Sequence, residues 1–598
     1  MLALPLLAQA APGPSTWLTP IWLVSVGVLV GLVVSAAVLG VTWLISRIGP
    51  IGGLYDRPTL RNRVGAVLSV LALVGSIPLI VVPQWNAAQA TGGTGGAITD
   101  VALLAIALIP VSIAVGFGLL ALVSRRTMDQ IGDAIREGAL YWFGSIFVGL
   151  AIFAVGGYAL GLSNYASLQV VKQPNRKLES LWRLRDAKDG VEIKAEIPAD
   201  NGSGTEVPIE FLSDELKTLV LFSNQRLEMA AQPIERDLPE HLIVPVAETI
   251  GTEEGVGYYH APGYELSPIP PGRTTKLWFR NLGDGPASLT IRMTTQPEFP
   301  EVAVIPQTAI WVVGLVLLYL MQRTALPKIS AIALSTFKTE AAQPVYLLFL
   351  ILGSLFAVAS IFIPYYTFNE DIKMLKDAVL TVMLVASIFM AVWAASKSIA
   401  EEIEGRTSLT VLSKPIGRRD FIIGKFVGIV WSTGLLYVAL SVVFLIVVSY
   451  KPVYDLKETA GSEVLWQQCF AEMMSIVPAM VLAFMEVVVF VAIGVAISTR
   501  LPIMANLLIC FSIYLLGHLT PLIVQSSVAV EAFEPVVFFG QLIATIVPVL
   551  DHFNVQAALT GGATVPMAYL GWAFIYCLLY AGIALLLGLI LFEDRDLA

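Results

Sequence analysis

The sequence predicts a polytopic α-helical membrane protein of about eleven transmembrane helices, N-terminus outside and C-terminus inside. An extracytoplasmic β-sandwich-like domain is inserted between the fourth and fifth helices. Three observations predict this. Hydrophobic residues make up 56% of the 598 and charged residues only 14%, whereas soluble chains run at roughly 45–50% and about 25%. The apolar excess is gathered into uncharged blocks, each long enough to cross ~30 Å of hydrocarbon, which takes about 20 helical residues. One stretch, 163–306, is different in kind. It holds 14 Lys/Arg and 21 Asp/Glu, so seven of the chain's nine net negative charges lie there.

The blocks run, in order, Pro20–Ser46, Val64–Val82, Ile98–Val123, Ala139–Leu162, Gln307–Met321, Val345–Pro364, Ala378–Ser396, Phe426–Tyr450, Met474–Ser498, Ile503–Val524 and Met567–Phe592. Gln307–Met321 is the shortest. Orientation follows from the loops, because cytoplasmic loops collect Lys and Arg. Arg47, Arg57, Arg61 and Arg63 follow the first block; Arg125, Arg126 and Arg136 the third; Arg323, Lys328 and Lys338 the fifth. Lys397, Lys414, Arg418, Arg419 and Lys425 follow the seventh, and Arg500 the ninth. The loop Pro83–Gly96 carries no charge, and two other outer loops hold only Lys373 with Lys376 and Lys451 with Lys457. Odd-numbered blocks therefore end inside. Residues 1–19, with Leu2–Ala8, Pro12 and Pro14 and no basic start, read as an exposed tail rather than a signal peptide. Trp17, Trp22, Trp43, Tyr365, Tyr366, Tyr450 and Tyr454, at block ends, fit interfacial aromatic belts.

Within 163–306, short strand-like runs occur at Val191–Ile197, Val207–Leu212, Thr218–Phe222, Leu242–Val246, Thr275–Phe279 and Ser288–Met293. The first alternates strictly between apolar and polar residues. Asn201-Gly202-Ser203-Gly204, Pro270-Pro271-Gly272 and Asp284-Gly285-Pro286 supply turns between the runs. Short strands at this spacing suggest a β-sandwich. Two readings stand for it, a binding module and a spacer, since a sandwich by itself specifies no function.

The chemistry is defined largely by what the sequence lacks. With 36 Lys+Arg against 45 Asp+Glu and no basic run, a nucleic-acid binder is excluded; the apolar blocks exclude a soluble enzyme. There is no phosphate loop. The nearest string, Gly417 to Gly424-Lys425-Phe426, separates its glycines by six residues and puts Phe426 where a magnesium-binding hydroxyl is needed. ATP hydrolysis by this chain, and a resident cofactor, are therefore not expected. Cys469, Cys510 and Cys577 read as packing residues. His241, His260, His518 and His552 show no metal-ligand spacing, and no catalytic constellation is visible.

The informative stretch is the cytoplasmic loop 397–425. It carries an acidic helix extension (Glu401, Glu402, Glu404), a break at Gly405, then Arg406 and Thr407. A segment presenting Leu409, Val411 and Leu412 leads to Ser413, Lys414 and Pro415, followed by Arg418, Arg419, Phe421 and Lys425. An apolar knob framed by both charge signs suits docking into a groove on a cytoplasmic protein; an ordinary charged inner loop is the plain alternative. Glu486 stands in the middle of the ninth block. A charge there costs at least ~2.5 kcal/mol on insertion scales and marks either a residue of a translocation path or a protonated or hydrogen-bonded Glu that fixes helix packing. Packing is favoured, with His518, nearer the outer end, a poor partner. Gly27-x-x-x-Gly31 is either a helix-contact face or a chance spacing.

The ordered pattern Glu-Glu-x-Glu-Gly-x-Thr, Leu-Ser-Lys-Pro and Arg-Arg-x-Phe-x-x-Gly-Lys in 401–425 resembles the loop of ABC-2 type transporter permeases. The resemblance covers roughly 327–598. Lys328–Gln343, with Ile332, Leu334 and Phe337, is similar to the family's amphipathic leading helix; Asn369-Glu370-Asp371 stands at an outer loop. Val547-Pro548 and Phe553-Asn554 resemble the outer segment before the last helix, and Phe592 to Leu597 its terminus. The resemblance implies a six-helix permease core in 327–598, paired with a second copy or paralogue. It implies a cytoplasmic ABC ATPase subunit that carries ATP and magnesium, and a coupling helix around Glu401–Pro415 on which the ATPase pushes. Ser498–Pro502 becomes a second contact and Val536–Leu550 a re-entrant segment. The family tendency is export across the cytoplasmic (inner) membrane. Residues 1–162 form a four-helix region, 163–306 the outer domain and 307–326 a fifth helix. An ion-coupled secondary transporter using Glu486, and a scaffold acting through the outer domain, remain the competing classes. The first favours inverted repeats, which are not evident.

Overall fold

A computed structural model describes residues 15–48, 58–76, 112, 116–118, 120, 132, 135, 138–159, 191–199, 204–212, 216–230, 232–234, 242–244, 273–295, 300–363, 371–404, 417–459, 464–529, 538, 542, 547–555 and 565–593. The chain divides into two compact units, one of 1–162 with 304–598 and one of 163–303.

The larger unit is helical. Its elements are α1 (Ser15–Ser46), α2 (Pro58–Ser76), α3 (Ala139–Ala159), α4 (Val304–Ala325), α5 (Pro327–Ala341) and α6 (Pro344–Ala359). They continue with α7 (Asp371–Glu404), α8 (Arg418–Thr459), α9 (Trp466–Ser475), α10 (Val477–Ser498), α11 (Ile503–Ala529) and α12 (Met567–Glu593). Among the described residues, eight helical stretches are long and apolar enough to cross a membrane: Thr16–Ser46, Ala139–Gly157, Glu301–Ala325, Pro344–Phe362, Asp371–Ile399, Arg418–Leu456, Trp466–Ser498 and Met567–Glu593. Ile503–Leu519 is apolar but shorter. The expected third block lies almost wholly outside the described residues. The fifth is longer than its apolar run suggests, because α4 starts at Val304 and carries the polar Gln307 and Thr308 in its first turns. The ninth block gains the short helix α9, separated from α10 by Ile476 with Pro478 in the first turn of α10.

Close helix approach is set by glycine. A Cβ on Gly27 would lie 2.7 Å from Thr308 Cβ, and one on Gly31 2.8 Å from Val312 Cβ. The Gly27/Gly31 pair is thus a contact face between α1 and α4, and two residues one turn apart on α4 sit over it. Likewise a Cβ on Gly424 would meet Ile332, and one on Gly428 the Ala333 carbonyl at 2.6 Å, so α5 lies tightly along the start of α8. Ile329, Ile332, Ala333 and Phe337 are the buried face of α5; Leu334 is only half-buried.

Some residues expected at the bilayer interface or in loops are packing groups instead. Trp22 is 4% exposed, and its Nε1 donates to the Ala154 carbonyl at 2.8 Å, tying α1 to α3. Trp17 meets Tyr450 edge to face, and Ser449 Oγ donates to the Trp17 carbonyl at 2.6 Å, tying α1 to α8. Trp43, half-exposed beneath the Arg47 guanidinium, keeps the character of an interface residue. Tyr365 and Tyr366 lie outside the described residues. Lys451 is 1% exposed, donates to the Ile361 carbonyl at 3.1 Å and pairs with Asp455 at 2.8 Å. Lys376 pairs with Glu472 and donates to Ser475 Oγ. These two lysines are fastened inside helices, so they do not weigh as free loop charges.

The smaller unit contains β1 (Val191–Ile197), β2 (Thr205–Leu212), β3 (Leu216–Ser223), β4 (Leu227–Ala230), β5 (Leu242–Val244), β6 (Arg273–Asn281) and β7 (Ala287–Thr295). They form two antiparallel sheets of order β1-β7-β3 and β2-β6-β4-β5. Both sheets feed one core, with Ile197, Leu219, Leu221 and Ile291 from the first and Val207, Leu227, Leu277 and Phe279 from the second. Strand β4 is absent from the periodicity reading. Leu-Glu-Met-Ala favours helix by propensity, and tertiary burial of all four residues overrides it. Its Glu228 stands opposite Arg280 in register and pairs with it. Gly204, at φ 92°, enters β2 in the left-handed region that favours glycine.

Two variants separate contact from spacing in α1. Gly31→Leu should destabilise the purified protein by about 1–3 kcal/mol, as overpacking does. Gly40→Leu, with open space around that position, should leave the melting temperature unchanged. Equal melting of both would place α1 away from α4.

Candidate functional site

Two places in the helical unit carry the polar groups that the packing alone does not account for. One is the end where α7, α8, α10, α11 and α12 terminate or begin together. The other is a cavity between α7, α10 and α11.

At the first, α7 continues through Glu401, Glu402 and Glu404 as helix. Gly405, Arg406, Thr407, Leu409, Leu412, Ser413 and Pro415 lie outside the described residues. The chain re-enters at Gly417. Asp420 lies in the first turn of α8, where a carboxylate complements the helix dipole, and its Oδ2 accepts from the Gly417 amide at 3.4 Å. Arg418 Nη1 donates to the Glu593 carbonyl at 2.5 Å and the Phe592 carbonyl at 3.4 Å. From the turn between α10 and α11, Arg500 Nε donates to the Leu591 carbonyl at 2.8 Å. The last carbonyls of a helix have no partner within it and carry partial negative charge. Two arginines from separate turns supply what the end of α12 lacks. Phe421 is fully buried and stacks on Phe592 with centroids 5.7 Å apart; Lys425 Nζ sits 5.6 Å from the Phe421 ring centre. Arg419 is exposed. Of the four residues singled out beyond the loop, three therefore join one cluster on α12 and the fourth faces away.

Inward of this cluster the helices touch through small residues. A Cβ on Gly494 would lie 3.4 Å from Ala395, and one on Gly588 3.0 Å from the Ala496 backbone. Asn506, fully buried, donates to Ser396 Oγ at 2.8 Å and to the Gly494 carbonyl at 2.9 Å, and accepts from Cys510 Sγ. One amide thereby bolts α7, α10 and α11 together.

Beyond that bolt the three helices part around a cavity of about 330 Å³. Helix α7 contributes Asp377, Leu380, Thr381 and Leu384; α10 contributes Ala479, Ala483 and Glu486; α11 contributes Tyr514 and His518. The spacings are those of one helical face in each case. Phe553, Asn554 and Val555 line it from the segment before α12. That segment is fixed by Tyr569 Oη donating to the His552 carbonyl and by the Val549 amide donating to Tyr576 Oη.

Glu486 is 2% exposed, and among the described residues its Oε1 has no hydrogen-bond partner. His518 Nε2 lies 3.8 Å from that oxygen, beyond hydrogen-bond length. His518, expected to be a poor partner for Glu486, lies beside it without a hydrogen bond to it. Their helices cross close enough for a residue near the outer part of α11 to face the middle of α10. His518 Nδ1 lies 3.2 Å from the Tyr514 carbonyl. A carbonyl only accepts, so Nδ1 carries a proton, and it is Nε2 that faces Glu486. Asp377, Thr381 and Tyr514 escape the sequence reading; their signal is the i, i+4, i+7 spacing of polar and small residues through apolar blocks.

Eight long apolar helices and the polar face buried among them define a multi-pass integral membrane protein of the permease kind. Residues 302–597 match the family described as ABC-2 family transporter protein, and this part of the chain belongs to that family. The match begins ahead of the resemblance and takes in α4. No curated protein matches the chain significantly.

Replacing Arg418 and Arg500 together by Ala should speed amide exchange in the last turn of α12, each cation at a helix end being worth about 0.3–1 kcal/mol. Arg419→Ala should not change it. Exchange unaltered in the double variant would show that the two arginines do not hold the helix end.

Proposed function

We propose that the chain is the membrane-spanning permease subunit of an ATP-binding-cassette transporter of the ABC-2 type, moving its substrate outward across the cytoplasmic (inner) membrane. ATP and magnesium belong to a separate cytoplasmic ATPase subunit, and this chain hydrolyses nothing. The observation that carries the reading is the family membership of 302–597, in a sequence without a phosphate loop of its own. A second copy or a paralogue completes the permease. Eleven transmembrane helices, N-terminus out and C-terminus in, put the two-sheet insert outside as a β-sandwich; the single core shared by its sheets supports that architecture.

In this reading the loop 397–425 is the coupling element. Closure of the ATPase dimer pushes on the segment around Arg406 and Leu412. The push enters α7 at Glu404 and α8 at Arg418. The Arg418 and Arg500 bonds to the end of α12 give it a route into that helix, and the Asn506 bolt gives it a route into α10 and α11. A packed element with two arrangements converts such a push into alternating access. Glu486, at the inner end of the cavity, is the translocation-path residue. The same carboxylate and cavity suit an ion-coupled carrier, the second reading, which needs no ATPase.

Arg406→Glu with Leu412→Asp should release an ATPase subunit that otherwise copurifies in mild detergent, while leaving the chain inserted at normal abundance. An ATPase retained by the double variant, or absent from the native chain even after cross-linking in membranes, would refute the coupling assignment.

A further inference from the structure

Resting on the reading of Glu486 as a path residue, we propose that the cavity between α7, α10 and α11 binds a primary or secondary ammonium group attached to an apolar or aromatic body. The polar end of the cavity places Glu486 Oε1 and His518 Nε2 3.8 Å apart, and among the described residues Oε1 has no hydrogen bond. The His518 Nδ1 proton is engaged by the Tyr514 carbonyl, so the neutral form of the ring carries its lone pair on Nε2, toward Glu486. An ammonium has several N–H donors and no acceptor. Placed between the two atoms it donates to both, and its charge offsets that of an ionised Glu486. A neutral alcohol supplies a single donor and no charge. An anion meets the Glu486 carboxyl, which offers it no compensating charge. A quaternary ammonium neutralises the charge but leaves both acceptors without a donor.

The rest of the lining fits the remainder of such a molecule. Leu380, Leu384, Ala479, Ala483 and Val555 make it largely aliphatic, and Phe553 and Tyr514 add aromatic rings. Ring faces attract cations and stack on aromatic bodies. A volume of about 330 Å³ is at the small end of ligand pockets, so the occupant is a small amine or the head and first ring of a larger one. Asp377 lies on the same face of α7 as Thr381 and Leu384.

The test uses the full chain in nanodiscs of zwitterionic lipid, without any ATPase, and tritiated 2-phenylethylamine as probe. Saturable binding is expected, displaced by unlabelled amine and not by 2-phenylethanol. Glu486→Gln, which keeps the volume and removes the charge, should weaken it about tenfold or more, the loss expected for a charged hydrogen bond. Ala483→Leu, which fills the cavity and leaves its charges in place, should weaken it as well. Absence of saturable binding to the native chain, equal displacement by the alcohol, or unchanged binding in a Glu486→Gln variant that melts like the native protein would overturn the proposal. Because no ATPase is present, such a result leaves the coupling assignment untouched, and loss of ATPase copurification leaves this one untouched.

Discussion

Hydrocarbon contains no water, so each polar group taken into the helical unit has to find its partner within the protein. Much of the architecture follows from how this is met. Tyr437 Oη donates to the Met480 carbonyl and joins α8 to α10. Trp22 joins α1 to α3, Lys451 joins α8 to the end of α6, and Asn506 joins three helices at once. Trp393 donates to Gln343, which in turn donates to Glu340, so the corner between α5 and α6 is fixed to α7. These bonds are spaced along the unit and give helices that are apolar on most of their surface a defined register. Glu486 Oε1 stands out against this background, since it is buried, can carry charge, faces a cavity and, among the described residues, has no hydrogen bond.

The bonds also divide the helical unit along its length. Near the loop 397–425, Ala394, Ala395, Gly494, Ala496 and Gly588 bring α7, α10 and α12 into backbone contact, and close-packed interiors transmit displacement rather than absorb it. Further along, α7, α10 and α11 line the cavity. In the proposed reading this tight end is the input of a lever, at Glu404 and Arg418, and the cavity walls carrying Asp377, Glu486 and His518 are its output. The clamp of Arg418 and Arg500 on the final carbonyls of α12 keeps the last helix from slipping when the others move.

Apolar block length made the long helices legible from sequence, and the loop pattern in 401–425 made the family legible. Strict alternation revealed β1. Strand β4 stayed hidden because Leu-Glu-Met-Ala carries no β signal and owes its conformation to burial between neighbours. The closeness of Glu486 and His518 was undervalued for a related reason: position along each helix is readable, but where two helices cross is not. Trp22 and Lys451 look like an interface residue and a loop charge when counted by position, yet the structure buries both with specific carbonyl partners. The Gly27 and Gly31 spacing was visible, but only the presence of Thr308 and Val312 over it separates contact from coincidence.

The central claim is that nucleotide-driven movement at the cytoplasmic loop changes access to the Glu486 cavity. A single cysteine at Thr381, in a chain whose buried Cys469, Cys510 and Cys577 are replaced by Ala, reports on that wall. Its reaction with a membrane-impermeant maleimide added outside would be followed in membranes containing the ATPase partner. The account predicts that the labelling rate changes several-fold when ATP with vanadate is supplied on the cytoplasmic side. A rate indifferent to nucleotide, with the partner bound throughout, would contradict it.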